Sequence, residues 1–509
     1  MAAGILLSRL AGLVRQRVLA HALGLGEAAD AFSAAFRIPN FLQNLLGEGV
    51  LSASFIPVYT RLRQAQGEEE ARNLAGAVLG FLAVIVALVV ALGVTFAPAL
   101  VIVLAPGFEG AKQELTVRLV RVLFPGTGLL VFSAWCLGVL NSHRRFFLSY
   151  AAPVAWNAAI VVATLAAPGG DPGAAAVWAA WGALAGAVLQ LGVQLPPTWR
   201  VAGGIRPLLR RDAAGLPTTV RTFLPALAGR GVVQVSAFVD GIIASLLPTG
   251  GVAALLNAQL VYTLPVSLFG VSVAASELPE LAEAAGASAA TDALHQRIRT
   301  GLRRIVFFVV PSATALLLFG GLIAAAIFQT GRFTSADAHY VWFILMGSAP
   351  GLLAATRSRL LASGCYALHD TVHPLRAAAV RVAVGTILGY VGAVHLPGWL
   401  GVEARWGAVG LTLAGSIAGW IEYGMLRRAL TRRIGPLVSE AGHEALLLLT
   451  AVLAAGAGWG VLLLVGVGTG PVLVAGLVLG TFGTAYLALA WVFRVPEARA
   501  LLDRLAAGS

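Results

Sequence analysis

The chain has 509 residues, of which 58% are apolar and 11% charged, with a formal net charge of +12. Soluble globular proteins carry roughly 45–50% apolar and about 25% charged residues, so a string of water-soluble domains is excluded. Disorder, which needs low hydrophobicity and high charge, is excluded with it. The positive charge is not a nucleic-acid footprint: it consists of 34 Arg and one Lys, Lys112, scattered between apolar runs and not interleaved with aromatics. The two cysteines, Cys136 and Cys365, sit in apolar sequence with no metal or redox spacing.

A helix needs about 17–25 apolar residues to cross a bilayer. Such stretches run near 5–23, 33–58, 74–104, 116–141, 151–168, 173–195, 222–247, 252–278, 302–328, 339–364, 374–395, 407–426, 444–466 and 471–493, fourteen in all. The first contains Arg9, Arg15 and Arg17 and lacks a small-residue cleavage site, so it is not a secretory signal. Arg9 and Arg17 can snorkel to opposite interfaces, leaving Arg15 at mid-span as the cavity candidate.

In the second stretch Asp30, Arg37, Asn44 and Glu48 fall within about 40° of one helical face. This reads as a wet interior stripe, or as a structural Asp30–Arg37 pair, with a kink expected at Pro39. Arg118 and Arg121 share a face of the fourth stretch. The seventh holds Arg230 and Asp240, too far apart to pair with each other, and Asn257, Gln259 and Tyr262 give the eighth a polar entry. Ionisable groups at bilayer depth are costly and by default face a cavity or a partner. Fixed guanidinium groups with few carboxylates point to an anionic, phosphate-bearing substrate.

With the N-terminus inside, 25 basic residues flank the cytoplasmic loops, whereas the other side keeps only Lys112, Arg332 and Arg405. The positive-inside rule then places both termini in the cytoplasm. The halves also echo one another. Phe108 and Phe333, and Pro125 and Pro350, are 225 apart; Pro39 and Pro265 are 226 apart. The expected fold is therefore an all-α polytopic membrane protein: two six-helix lobes related by a parallel repeat, plus two C-terminal helices. Its parts are an N-lobe over 1–198, a cytoplasmic linker over 199–221, a C-lobe over 222–430, and the last two spans with a tail over 431–509. Transporters of this build bind substrate between the repeats.

No phosphate-binding GxxxxGK[ST] loop is present. His369, Asp370 and His373 have metal-like spacing but no third obvious ligand, and read as a solvated turn beside Pro374. No metal or cofactor is expected.

The segments SRLAGLVRQ, ADAFSAAFRIPNFLQNLLGEGVLSASFIPVY, LAPGF, FPGTGLLVFSAWCLGVLNSHRRF and QTGRFTSAD resemble the MurJ/MviN family of lipid II flippases, within the multidrug/oligosaccharidyl-lipid/polysaccharide exporter superfamily. The resemblance covers essentially the whole chain. It implies fourteen helices around a V-shaped cavity and alternating-access transfer of lipid II to the outer leaflet of a bacterial cytoplasmic membrane. It also implies a groove on spans 13 and 14 for the undecaprenyl tail. Ser8, Arg9, Arg15, Asp30 and Glu48 match family positions. Gln16 replaces an aspartate, and Gln43 (followed by Asn44) and Gln259 replace arginines. Arg37 and Arg230 then return positive charge to the cavity from new positions. Asp240 is the candidate for a coupling-ion site, with Na+, H+ or the membrane potential as drive. The expected partners are lipid II or a related undecaprenyl-pyrophosphate-linked glycan and membrane lipids, with the protein a monomer. Two alternatives stay open: export of another undecaprenyl-linked oligosaccharide, or a non-transporting membrane scaffold.

Overall fold

A computed structural model describes residues 2–507 apart from 47, 205, 211, 275–276, 278–279, 282, 284–289, 438–440 and 466–469. Among the described residues the only bridge pairing is Thr330 with Phe333; the regular elements are helices. They are α1 (Ala2–Leu23), α2 (Glu27–Leu46), α3 (Glu48–Gln66), α4 (Glu68–Thr95), α5 (Ala97–Leu104), α6 (Gly110–Ser142), α7 (Phe146–Ala151), α8 (Pro153–Leu165), α9 (Pro172–Val201) and α10 (Leu216–Ser245). There follow α11 (Gly251–Pro265), α12 (Ala290–Phe328), α13 (Ser335–Ala367), α14 (Val372–Tyr390), α15 (Leu396–Leu400), α16 (Gly407–Ile434), α17 (Ala441–Leu464), α18 (Pro471–Val492) and α19 (Pro496–Ala507). Wide π-helical turns, Val266–Val271 and Val391–His395, extend α11 and α14.

Lipid cannot hydrogen-bond to backbone, so a spanning segment must satisfy its own N–H and C=O groups, which a helix does. Ten helical stretches among the described residues are long and apolar enough to cross a membrane. Their outward faces are apolar, as Val84, Ile85, Leu88 and Leu92 on α4 and Leu448, Leu449, Val452 and Leu453 on α17 illustrate. Water would penalise such belts; hydrocarbon does not.

The 225-residue echo is visible in the elements themselves. α6 and α13 each have 33 residues, begin at 110 and 335, and carry Pro125 and Pro350 inside. Both end in the same turn: Arg144 and His369 take left-handed φ of 60° and 57°. The next N–H then reaches back, Arg145 to Leu140 O and Asp370 to Cys365 O, both at 2.9 Å. α8 and α14 end at Leu165 and Tyr390, again 225 apart.

The chain divides into two compact units, Met1–Ala253 with Thr330–Phe333, and Ala254–Gln329 with Thr334–Ser509. The first unit includes α10, which packs on α2 and α3. In the first unit, α9 closes on α8 where Gly182 and Gly186 lack side chains. A Cβ at Gly186 would lie 2.8–2.9 Å from the Trp156 backbone and ring. In the second unit Gly347 and Gly351 of α13 play that part against α16, where Ser416 Oγ donates to Gly347 O at 2.7 Å. Small residues at four-residue spacing let helix backbones approach where lipid gives no hydrophobic drive. α17 and α18 pack on α12 through Phe307, Phe319, Phe482 and Tyr486, whose hydroxyl donates to Phe307 O at 2.7 Å.

Candidate functional site

In the first unit α1 supplies Arg15. Its guanidinium carbon stands 5.2 Å from the Phe36 ring centroid and 5.3 Å from that of Trp156. The two rings stack at 5.5 Å, and Trp156 is held by donation of Nε1–H to Ala183 O at 3.0 Å. Aromatic faces stabilise the cation by about 0.5–2 kcal/mol without using its N–H donors. Nε of Arg15 is buried with no hydrogen-bond partner. The charge is thus held in place while hydrogen-bonding capacity remains for an anion.

The next α2 residue, Arg37, has Nη1 and Nη2 buried without hydrogen-bond partners. Its electrostatic counterpart is Asp240 of α10. Gly241 makes room for it, since a Cβ there would collide with Nη1.

Asp30 departs from the sequence reading, which set it on an open stripe with Arg37 or paired to it. It is fully buried, takes Lys112 Nζ at 2.7 Å, and accepts from the N–H groups of Gly250 and Ala253 at 2.7 and 2.9 Å. Lys112 Nζ also lies 4.1 Å from the Phe108 centroid. A carboxylate facing the first N–H groups of α11 meets the positive end of the helix dipole. Helical-wheel arithmetic identifies a shared face; it does not say which neighbour each residue on that face meets. Asp240, expected without a direct partner on its own helix, has Arg37 beside it.

The other sequence candidates distribute as follows. Arg9 is exposed, and Gln259 is half-buried on α11 in the second unit. The side chains of Gln43, Asn44, Glu48 and Arg230, like Pro39, lie outside the described residues.

The second unit holds a group that sequence reasoning missed. Arg381 Nη1 lies 3.2 Å from Glu422 Oε2, and Arg359 and Arg381 are electrostatic neighbours of Tyr262, three residues beyond Gln259. In the sequence reading both arginines belong to the 25 basic residues that flank the cytoplasmic loops. The available signal was that they fall inside the apolar stretches 339–364 and 374–395.

The repeated turns carry charge outside the spans. After α6, Arg63 Nη1 donates to His143 Nδ1 at 2.8 Å and Tyr59 Oη lies 2.9 Å from Nε2. Burial and the Arg63 guanidinium hold His143 below its ordinary pKa. After α13, Asp370 accepts from the N–H groups of Val372 and His373 at 3.1 Å and pairs with His373 Nδ1 at 2.6 Å and Arg433 at 3.1 Å. Burial opposes its ionisation, but the His373 hydrogen bonds and Arg433 outweigh it and lower the carboxyl pKa. The segment is a charged helix cap. Among the described residues no cluster of three or more His, Cys, Asp or Glu is placed to hold a metal.

Long apolar helices that echo one another at a 225-residue offset, with buried guanidinium groups among them, mark a polytopic membrane protein of the transporter class. It is similar to a solved structure titled "Inward-facing conformation of a multidrug resistance MATE family transporter of the MOP superfamily" (TM-score 0.67, 16% identity, 84% of this chain and 95% of that one). It is also similar to one titled "Lipid II flippase MurJ, inward closed conformation" (TM-score 0.80, 21% identity, 98% and 99%). A family model described as "Lipid II flippase MurJ" matches residues 19–484. A "Probable lipid II flippase MurJ" of Rhizobium tropici is 32% identical over 457 residues, 88% of this chain and 83% of that protein. The "Lipid II flippase MurJ" of Burkholderia cenocepacia is 32% identical over 393 residues, 75% and 74% of the two chains. The chain belongs to the MurJ family.

Proposed function

We infer that this protein is a lipid II flippase, working by alternating access in a bacterial cytoplasmic membrane. Membership of the MurJ family supports the substrate. The observation that carries the mechanism is Arg15, fixed on Phe36 and Trp156 with Nε unpartnered; Arg37, on α2 as Phe36 is, has both Nη groups buried without hydrogen-bond partners. Two guanidinium groups with spare donors suit a pyrophosphate, which accepts forked, charge-assisted hydrogen bonds. We take it to act as a secondary-type transporter.

Fourteen spans follow if α1, α2 with α3, α10 and α16 cross beside the ten apolar stretches. Their in-span charges, which depress hydropathy, then belong to the inner surface. The 25-to-3 distribution of basic residues favours cytoplasmic termini. Protonation of Asp240 releases Arg37 and gives one route for ion coupling; Na+ binding there must displace the same guanidinium. We take the unit of transport to be the monomer.

The test is transfer of purified lipid II across proteoliposomes containing the protein, with other undecaprenyl-linked sugars as competitors. Arg15→Ala removes at least one charge-assisted contact and is expected to slow transfer about tenfold or more. Unchanged transfer by Arg15→Ala, or preference for a different undecaprenyl-linked sugar, overturns the reading.

A further inference from the structure

We propose that the second unit carries an acidic-phospholipid headgroup site at the basic ends of α12, α13 and α16, closed on one side by the start of α17. A cavity of about 200 Å³ there is lined by Arg299 and Arg303 of α12, Arg357 of α13, and Trp420, Tyr423 and Arg427 of α16. Four guanidinium groups from three helices converge on a volume suited to one headgroup. Glu444 pairs with Arg357 and Glu497 with Arg303, both at 2.7 Å, and Arg427 Nη2 donates to Leu437 O at 3.2 Å. Asp292 lies in an adjoining depression shared with Arg299. Another, lined by Arg427, Arg428 and Arg432, prolongs the positive surface.

Arg357 makes this a built site. Its side chain is only 5% exposed, its guanidinium lies 5.7 Å from the Tyr423 centroid, and its Nε is buried with no hydrogen-bond partner. Burying a guanidinium and leaving a donor unsatisfied is costly, and a phosphate oxygen would complete the set.

The surroundings favour a lipid over a free phosphate ester. Leu302 and Val306 give the cavity an apolar wall. Two outward stripes run from it along the helices: Leu413, Ile417 and Trp420 on α16, and Leu448 and Val452 on α17, one and two turns beyond Glu444. Trp420 is fixed by donation of Nε1–H to Pro350 O at 3.0 Å. Tryptophan and tyrosine between a charged end and an apolar stripe mark the headgroup level of a bilayer, and clustered arginines there attract anionic lipid. The headgroup phosphate would sit among Arg299, Arg357 and Arg427, with the acyl chains along the two stripes.

The site is separate from Arg15 and Arg37, and its test does not depend on transport. The full chain, purified in neutral detergent, is titrated with phosphatidylglycerol, phosphatidylcholine or glycerol-1-phosphate. Bound lipid is counted by native mass spectrometry and Tm is recorded. Phosphatidylglycerol is expected to bind in preference and to raise Tm, and glycerol-1-phosphate to do neither at equal concentration. Arg299→Gln with Arg427→Gln should weaken phosphatidylglycerol binding by roughly 20-fold. Glu444→Gln, which frees Arg357 from its competing carboxylate, should strengthen it, a direction that misfolding cannot produce. Equal binding of the two lipids, an equal effect of glycerol-1-phosphate, or a double variant that keeps the preference overturns the proposal.

Discussion

α6 and α13 are the same helix built twice, and their differences isolate what the repeat leaves free. Both have 33 residues and an internal proline, and both close with a non-glycine residue in the left-handed region. Their charged surroundings diverge. The start of α6 holds Lys112, clamped on a fully buried Asp30. The later part of α13 holds Arg357 and Arg359, and the related ion pairs of the second unit remain partly open to solvent, as in Arg381–Glu422. Backbone geometry tolerates duplication because it depends on length and on small contact residues. Charge does not, because each buried ion requires its own counterion, and that partner is a single substitution away from being lost. The start of α6 therefore closes its charge into a local cluster, whereas the later part of α13 contributes to ion pairs that stay partly open.

This contrast can be broken most sharply at Asp30. Asp30→Ala leaves Lys112 buried without its counterion and two N–H groups without an acceptor, and should cost about 3–5 kcal/mol. Arg381→Gln removes a half-exposed pair and should cost about 1 kcal/mol or less. Denaturation in detergent measures both; equal effects would remove the distinction between closed and open charge.

Next come the matched glycines Gly126 and Gly351. A Cβ at Gly351 would lie 2.6 Å from Ser416 Oγ and 2.9 Å from its Cα, so Gly351→Ala should destabilise by about 1–3 kcal/mol. At Gly126 the nearest atom, Leu184 Cα, is 3.4 Å away, and Gly126→Ala should be near neutral. The same melting experiment reads the difference.

A smaller pairing is the N-cap. Thr334 accepts from Asp337 N at 3.3 Å while Asp337 accepts from Thr334 N at 2.8 Å. Its counterpart 225 residues earlier, Glu109, makes no side-chain cap bond. Thr334→Ala should cost about 1 kcal/mol, and Glu109→Ala much less.

The turns after the two helices should differ in pH response. The folded pKa of His143 is depressed, so the unfolded chain binds its proton first, and stability falls as pH drops below about 6.5. The folded pKa of Asp370 is also depressed, so its contribution is present above about pH 3.9 and is lost as pH falls through the folded value. Between pH 7 and 5 the first turn should respond through His143, and His143→Gln should flatten that part of the Tm–pH curve. An unchanged slope would reject the assignment.

Composition and apolar run length were enough to establish a multi-helix membrane protein, because a bilayer leaves the backbone almost no alternative. The 225-residue offset was also legible, since prolines and aromatic anchors mark helix interiors and turns wherever the skeleton recurs. Arg15 could be singled out because a charge at mid-span needs a reason. That its reason is a seat on Phe36 and Trp156, that Asp30 belongs to Lys112 while Arg37 belongs to Asp240, and that Arg357 and Glu444 close a cavity were not legible. Those pairings join residues up to 203 positions apart in sequence. Periodicity determines which face of a helix is polar; only the packing of one helix on another decides which charge that face meets.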